Sequence, residues 1–145
     1  MTMLSAQTAQ TQAQTLSIFD VQRLEPVLLR EAGGHEQPEH VLELAARLYA
    51  CDQAQPESIP TDVVTMNSRV RLEDMNSGRH IEITLVFPRL ADSASGCISV
   101  LAPLGSALLG ARVGQTVEAH TPAGERSYRI EALLYQPEAD GRYDL

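Results

Sequence analysis

The sequence predicts an α+β protein, a short N-terminal antiparallel helical hairpin followed by an antiparallel β-sheet domain with one short helix. Two observations predict it. Apolar residues recur at three- and four-residue spacing between Leu16 and Cys51, and at two-residue spacing in the later segments. A stretch punctuated by Pro56 and Pro60, with no apolar rhythm, separates the two patterns.

Residues 1–15 are almost wholly Gln, Thr, Ala and Ser, with too little apolar surface to offset ordering entropy, and are expected to be a disordered tail. The hairpin is assigned to residues 16–54. In its first helix Val21, Leu24 and Leu28 form a stripe that Val27 and Leu29 widen, and Asp20 is the expected N-cap. Pro26 removes a backbone bond, so the regular part is expected to begin near Arg23, and Gly33-Gly34 ends it. Pro38 suits a first helical position, and Val41, Leu44, Ala45, Leu48 and Cys51 form the second stripe. Helices of about 14 residues at 1.5 Å per residue give a hairpin projecting about 20 Å.

Residues 55–61 are expected to be a linker and 62–145 the sheet domain. Ile81, Ile83, Leu85 and Phe87 face one side of a strand whose other side carries His80, Glu82 and Thr84. Ile130, Ala132 and Leu134 repeat that alternation in the last strand. Asp62–Met66, Arg69–Asp74, Cys97–Leu101 and Thr116–Thr121 are shorter strand candidates between turn signals such as Asn76-Ser77-Gly78. A helix over Leu104–Leu109 should end at Gly110 in a left-handed position.

Nineteen acidic and 11 basic side chains leave a net charge of −8, which argues against direct DNA binding through phosphate neutralisation. No apolar run approaches the roughly 18 residues of a membrane span, and Met1 to Thr15 lacks a signal peptide's basic start and apolar core, so a cytoplasmic protein is expected. Cys51 and Cys97 stand in no CxxC spacing and are expected to be buried thiols. There is no Walker loop, GxSxG, HExxH or CxxC, and the four histidines are dispersed, so neither an autonomous enzyme nor a cofactor or metal site is expected. Glu36 and Glu39 lie at the hairpin tip beside Glu31 and Glu43. Such carboxylates can hold a hard cation with a partner's ligands, or simply complement a helix N-terminus.

The run Ile98-Ser99-Val100-Leu101-Ala102-Pro103, continuing through Ala107-Leu108-Leu109-Gly110, Thr121-Pro122-Ala123-Gly124 and Tyr128-Arg129-Ile130, resembles the C-terminal domain of the Gre transcript-cleavage factors. Ile59-Pro60-Thr61-Asp62-Val63-Val64-Thr65-Met66-Asn67-Ser68 and the ending Tyr135-Gln136-Pro137-Glu138-Ala139-Asp140-Gly141 are similar to a Gre-related group, the bacterial regulators of nucleoside diphosphate kinase. The resemblance spans about Ile59 to Leu145; before that it is one of architecture.

The resemblance implies an FKBP-like domain that docks on RNA polymerase at the mouth of the secondary channel, gripping the rim coiled coil of the largest subunit. In Gre factors the loop after the matching strand makes the contact, which carries over onto Leu101, Ala102 and Pro103, with Ser99 and Leu104 beside them. Gre factors commonly place polar or acidic residues before that proline, whereas here Leu101 and Ala102 stand there. A Gre coiled coil is much longer and brings tip acids to the polymerase's second catalytic Mg²⁺. A hairpin of about 20 Å should fall short of it. The expected function is therefore a polymerase-binding regulator that competes with Gre-type factors without promoting cleavage, with any effect on the kinase indirect. The alternatives are a cleavage-stimulating factor using Glu36 and Glu39, a prolyl isomerase, and a module acting directly on nucleoside diphosphate kinase.

Overall fold

The computed structural model of the chain describes residues 14–31, 39–121 and 124–142. Strand β1 (Thr15–Ser17) runs straight into helix α1 (Ile18–Glu31), and helix α2 (Glu39–Ala50) is followed by strand β2 (Asp52–Ala54). β1 and β2 pair in parallel, Thr15 with Asp52 and Ser17 with Ala54, which brings the start of α1 to the end of α2 as a helical hairpin requires. Thr15 thus belongs to a strand, and Gln14 accepts a backbone bond from Asp52 at 2.8 Å. The rest of the expected tail lies outside the described residues, as do Gly33, Gly34 and Pro38.

The α1 cap is Ser17, whose Oγ accepts from the Phe19 N–H at 3.2 Å. Asp20, expected there, lies inside the first turn and is fully buried. The helix also runs through Pro26 from Ile18 onward; Pro26 and Gln22, whose carbonyl loses its helical donor, are both on the exposed side. Val21, Leu24 and Val27 are buried and Leu28 half-buried, whereas Leu29 is 73% exposed and does not widen the stripe. In α2 the stripe holds, with Val41, Leu44 and Leu48 buried and Ala45 and Cys51 half-buried.

Five strands, β3 (Arg69–Asp74), β4 (His80–Val86), β5 (Cys97–Ser99), β6 (Thr116–Thr121) and β7 (Gly124–Tyr135), form a sheet in the order β5-β4-β3-β7-β6. All neighbours are antiparallel except β4 and β5, so the expected antiparallel sheet is mixed at one edge. The chain makes that parallel return through two 3-10 turns, Pro88–Leu90 and Ser93–Ser95. Asp62–Met66 is not a strand. Only Val63 makes a bridge, to Arg112, and the segment's apolar residues serve the core, Val63, Val64 and Met66 being at most 1% exposed.

The last strand departs from simple alternation. β3 pairs Val70 with Leu133 and Arg71 with Ala132 but Leu72 with Ile130, skipping Glu131, and a second skip passes Leu134. Each bulge reverses the facing of the residues beyond it, so Ile130 and Leu133 reach the core while Leu134 is 42% exposed. Helix α3 (Pro103–Leu108) starts one residue before its expected position, and Gly110 adopts φ +83°, the left-handed conformation expected of it.

One core holds these pieces together. Leu16, Val21, Leu24, Leu44 and Leu48 from the helix pair share it with Val70, Leu72, Ile83, Leu85, Leu108 and Ile130. The connection at 55–61 is itself packed, with Pro56 and Ile59 buried. The helix pair therefore lies against the sheet unit along one face instead of projecting freely from it.

Candidate functional site

The residues after β5 form a short, tightly bonded loop. Val100 is fully buried and donates its N–H to Val86 O at 2.9 Å, anchoring the loop to the sheet. Ser99 closes it from inside: its Oγ accepts from Leu101 N–H and its carbonyl from Ala102 N–H, both at 3.0 Å. Pro103 then opens α3 with its fixed φ, where a missing N–H costs nothing. Gly105, inside α3, has no room for a side chain. A Cβ there would sit on the Ser99 carbonyl, 2.8 Å from its carbon and 3.1 Å from Val100 Cα. The sequence signal for that approach was the lone glycine after Pro103-Leu104. Ser99, Leu101, Ala102, Pro103 and Leu104 emerge half-buried from this frame as one small, mostly apolar surface.

The helix pair braces the loop from the other side. Leu101 O accepts from His40 Nε2 at 2.8 Å, and the Arg47 guanidinium donates to Ser106 O and to Leu109 O at 3.2 Å, capping the carbonyls at the end of α3. Burial lowers the pKa of Arg47. The sequence offers no local signal for any of these three bonds, since each joins residues about sixty positions apart.

Between α1 and the Phe87–Leu90 turn lies an open groove of about 790 Å³, which Leu101 also lines. On the α1 side it presents Gln22, Arg23, Pro26, Val27 and Arg30. Arg23 lies over the Phe87 ring, 5.2 Å from its centroid, and donates to Asp20 Oδ1 at 2.6 Å. Asp20 Oδ2 accepts from Met66 N–H at 3.1 Å, tying α1 to the sheet unit. Burial pushes the Asp20 carboxyl up to about 6; nearby Glu138 adds to the rise, and the bonds from Met66 and Arg23 oppose it.

Of the two tip acids, only Glu39 lies among the described residues. Glu39 is exposed in the first turn of α2, and Glu36 and His35 lie outside the described residues. Among the described residues no three His, Cys, Asp or Glu side chains stand together as metal ligands would. Cys51 and Cys97 are free and half-buried, less enclosed than expected, and burial foremost raises the Cys51 pKa. No helix among the described residues is long and apolar enough to cross a membrane.

Comparison with known proteins agrees with this architecture. The family model "Transcription elongation factor, GreA/GreB, C-term" matches residues 59–135. A regulator of nucleoside diphosphate kinase from Escherichia coli (strain K12) is 42% identical over 101 residues, which are 69% of this chain and 74% of that one. A transcription elongation factor GreA from Syntrophomonas wolfei is 37% identical over 90 residues, 62% of this chain and 57% of that one. The solved structure of a prokaryotic transcription elongation factor GreA/GreB from Nitrosomonas europaea superposes with a TM-score of 0.73 at 37% identity, covering 84% of this chain and 99% of that one. That coverage exceeds what the segment from Ile59 onward can supply, so it includes part of the helix pair. By sequence and by fold, the chain belongs to the GreA/GreB family of transcription elongation factors.

Proposed function

We propose that this protein binds RNA polymerase at the entrance of the secondary channel, through the loop Ser99–Leu104, and competes there with Gre-type factors without promoting transcript cleavage. The observation that carries the reading is the loop itself: a half-buried, mostly apolar surface with its backbone bonded on both sides, set in the segment that matches the family. Such a surface docks with little ordering cost. On this reading the sheet unit is FKBP-like and its partner is the rim coiled coil of the largest polymerase subunit. Helices of 14 and 12 residues are about 21 and 18 Å long, and both lie back on the sheet unit, which supports occlusion of the channel over delivery of tip acids to its Mg²⁺. An effect on nucleoside diphosphate kinase then follows indirectly, through transcription.

The test is a transcript-cleavage assay on backtracked elongation complexes. The protein should produce no cleavage alone and should suppress cleavage by an added GreA. Cleavage stimulated by the protein itself, and lost in Glu36→Ala/Glu39→Ala, would establish the cleavage-factor alternative instead.

A further inference from the structure

We propose that the groove between α1 and the Phe87–Leu90 turn seats an amphipathic helix of the polymerase partner, one that sets carboxylates beside apolar anchors. The inference rests on the docking reading above and assigns α1 a part in it, as one wall of the docking surface.

Charge is the first ground. The chain carries a net −8, yet three of its 11 arginines, Arg23, Arg30 and Arg89, line this groove and no Asp or Glu does. Among the described residues Arg23 pairs with Asp20, while Arg30 and Arg89 are exposed and have no salt-bridge partner. A basic trough selects an acidic occupant, and the net charge of −8 on each chain opposes the approach of a second copy. Shape is the second. The α1 positions that line the groove run from Gln22 to Arg30, about 12 Å of helix axis, the length of two turns of a docked helix. The third is the apolar surface between the charges, to which Phe87 and Leu101, both half-buried, and Leu90, 52% exposed, contribute. A small anion would satisfy the arginines but leave that surface in water. An amphipathic helix covers both, and because Leu101 lines the groove, its occupant also touches the docking loop.

The experiment measures binding of the full chain to purified core RNA polymerase by fluorescence anisotropy. Three variants are compared with the natural protein: Arg30→Glu/Arg89→Glu in the groove, Arg79→Glu/Arg112→Glu outside it with the same net charge, and Ala102→Asp on the loop. All four arginines are exposed, so thermal unfolding should confirm an unchanged fold. The groove variant should lose about tenfold or more in affinity and the control less than about twofold. Full binding by the groove variant with loss in Ala102→Asp would overturn the groove assignment and leave loop docking standing. Equal loss in both double variants would reduce the effect to net charge and also overturn it. No binding by the natural protein would overturn the docking reading itself.

Discussion

Asp20 is the buried carboxylate that joins α1 to the sheet unit, and its replacement by Asn has a calculable consequence. The folded protein holds this carboxyl at about 6 against 3.8 for a free aspartate, chiefly because burial disfavours the ion. Between those values the folded state binds more protons than the unfolded chain, so the contribution of Asp20 to stability rises as pH falls through that window. Two units at 1.36 kcal/mol each give about 3 kcal/mol over the whole titration, of which about 2 kcal/mol falls between pH 7.5 and 4.5. The amide of Asp20→Asn cannot titrate. It also turns one of the two acceptor oxygens, Oδ1 bonded by Arg23 or Oδ2 bonded by Met66 N–H, into a donor, which adds an offset between the two proteins that does not vary with pH. The readout is therefore the pH dependence of the difference. Urea unfolding at pH 7.5 and 4.5 should show the natural protein gaining about 2 kcal/mol on the variant, or roughly 6 °C in Tm for a chain of this size. Asp74 and Glu82, whose pKa values are lowered by hydrogen bonds, weaken both proteins alike on acidification and cancel. Parallel stability curves would refute the burial argument. A gain by the variant at low pH would show that the bonds from Arg23 and Met66 outweigh desolvation.

Other expectations follow from the same contacts. Gly105→Ala should destabilise by about 2 kcal/mol despite alanine's better helix propensity, because its methyl meets the Ser99 backbone, and thermal unfolding reads the loss. His40→Ala removes the bond to Leu101 O and should cost about 1 kcal/mol in urea unfolding, with weaker polymerase binding if the loop must be held in place. Glu39→Ala removes an exposed side chain from the tip and should leave both polymerase affinity and GreA competition unchanged; a loss in either would give the tip a role.

Elements set by local pattern were legible in the sequence. β3 and β6 fall on their expected residues, the α2 stripe is buried as its spacing requires, and Gly110 is left-handed where the helix ends. The failures lie where distant contacts decide. The apolar run at Asp62–Met66 fits a buried strand equally well, but its backbone bonds to Ala111 and Gly110 instead of a sheet neighbour. The β7 bulges transfer inward facing from Leu134 to Leu133, which period-two counting cannot foresee. Asp20 has a capping residue's chemistry, yet Met66, forty-six positions on, provides its donor. At the candidate site, the loop Ser99–Leu104 was legible from its resemblance to the family. The groove was not, because Arg30 and Arg89 come together only when α1 packs against the sheet unit.

The proposed docking of the loop Ser99–Leu104 on RNA polymerase makes the protein a competitor of GreA for one site. The most direct test of that docking is equilibrium binding of the labelled protein to core RNA polymerase, with unlabelled GreA as competitor and Ala102→Asp as control. Micromolar or tighter binding, displaced fully by GreA and lost in the control, is the predicted result. Binding that GreA leaves untouched, or that Ala102→Asp retains, would contradict the account.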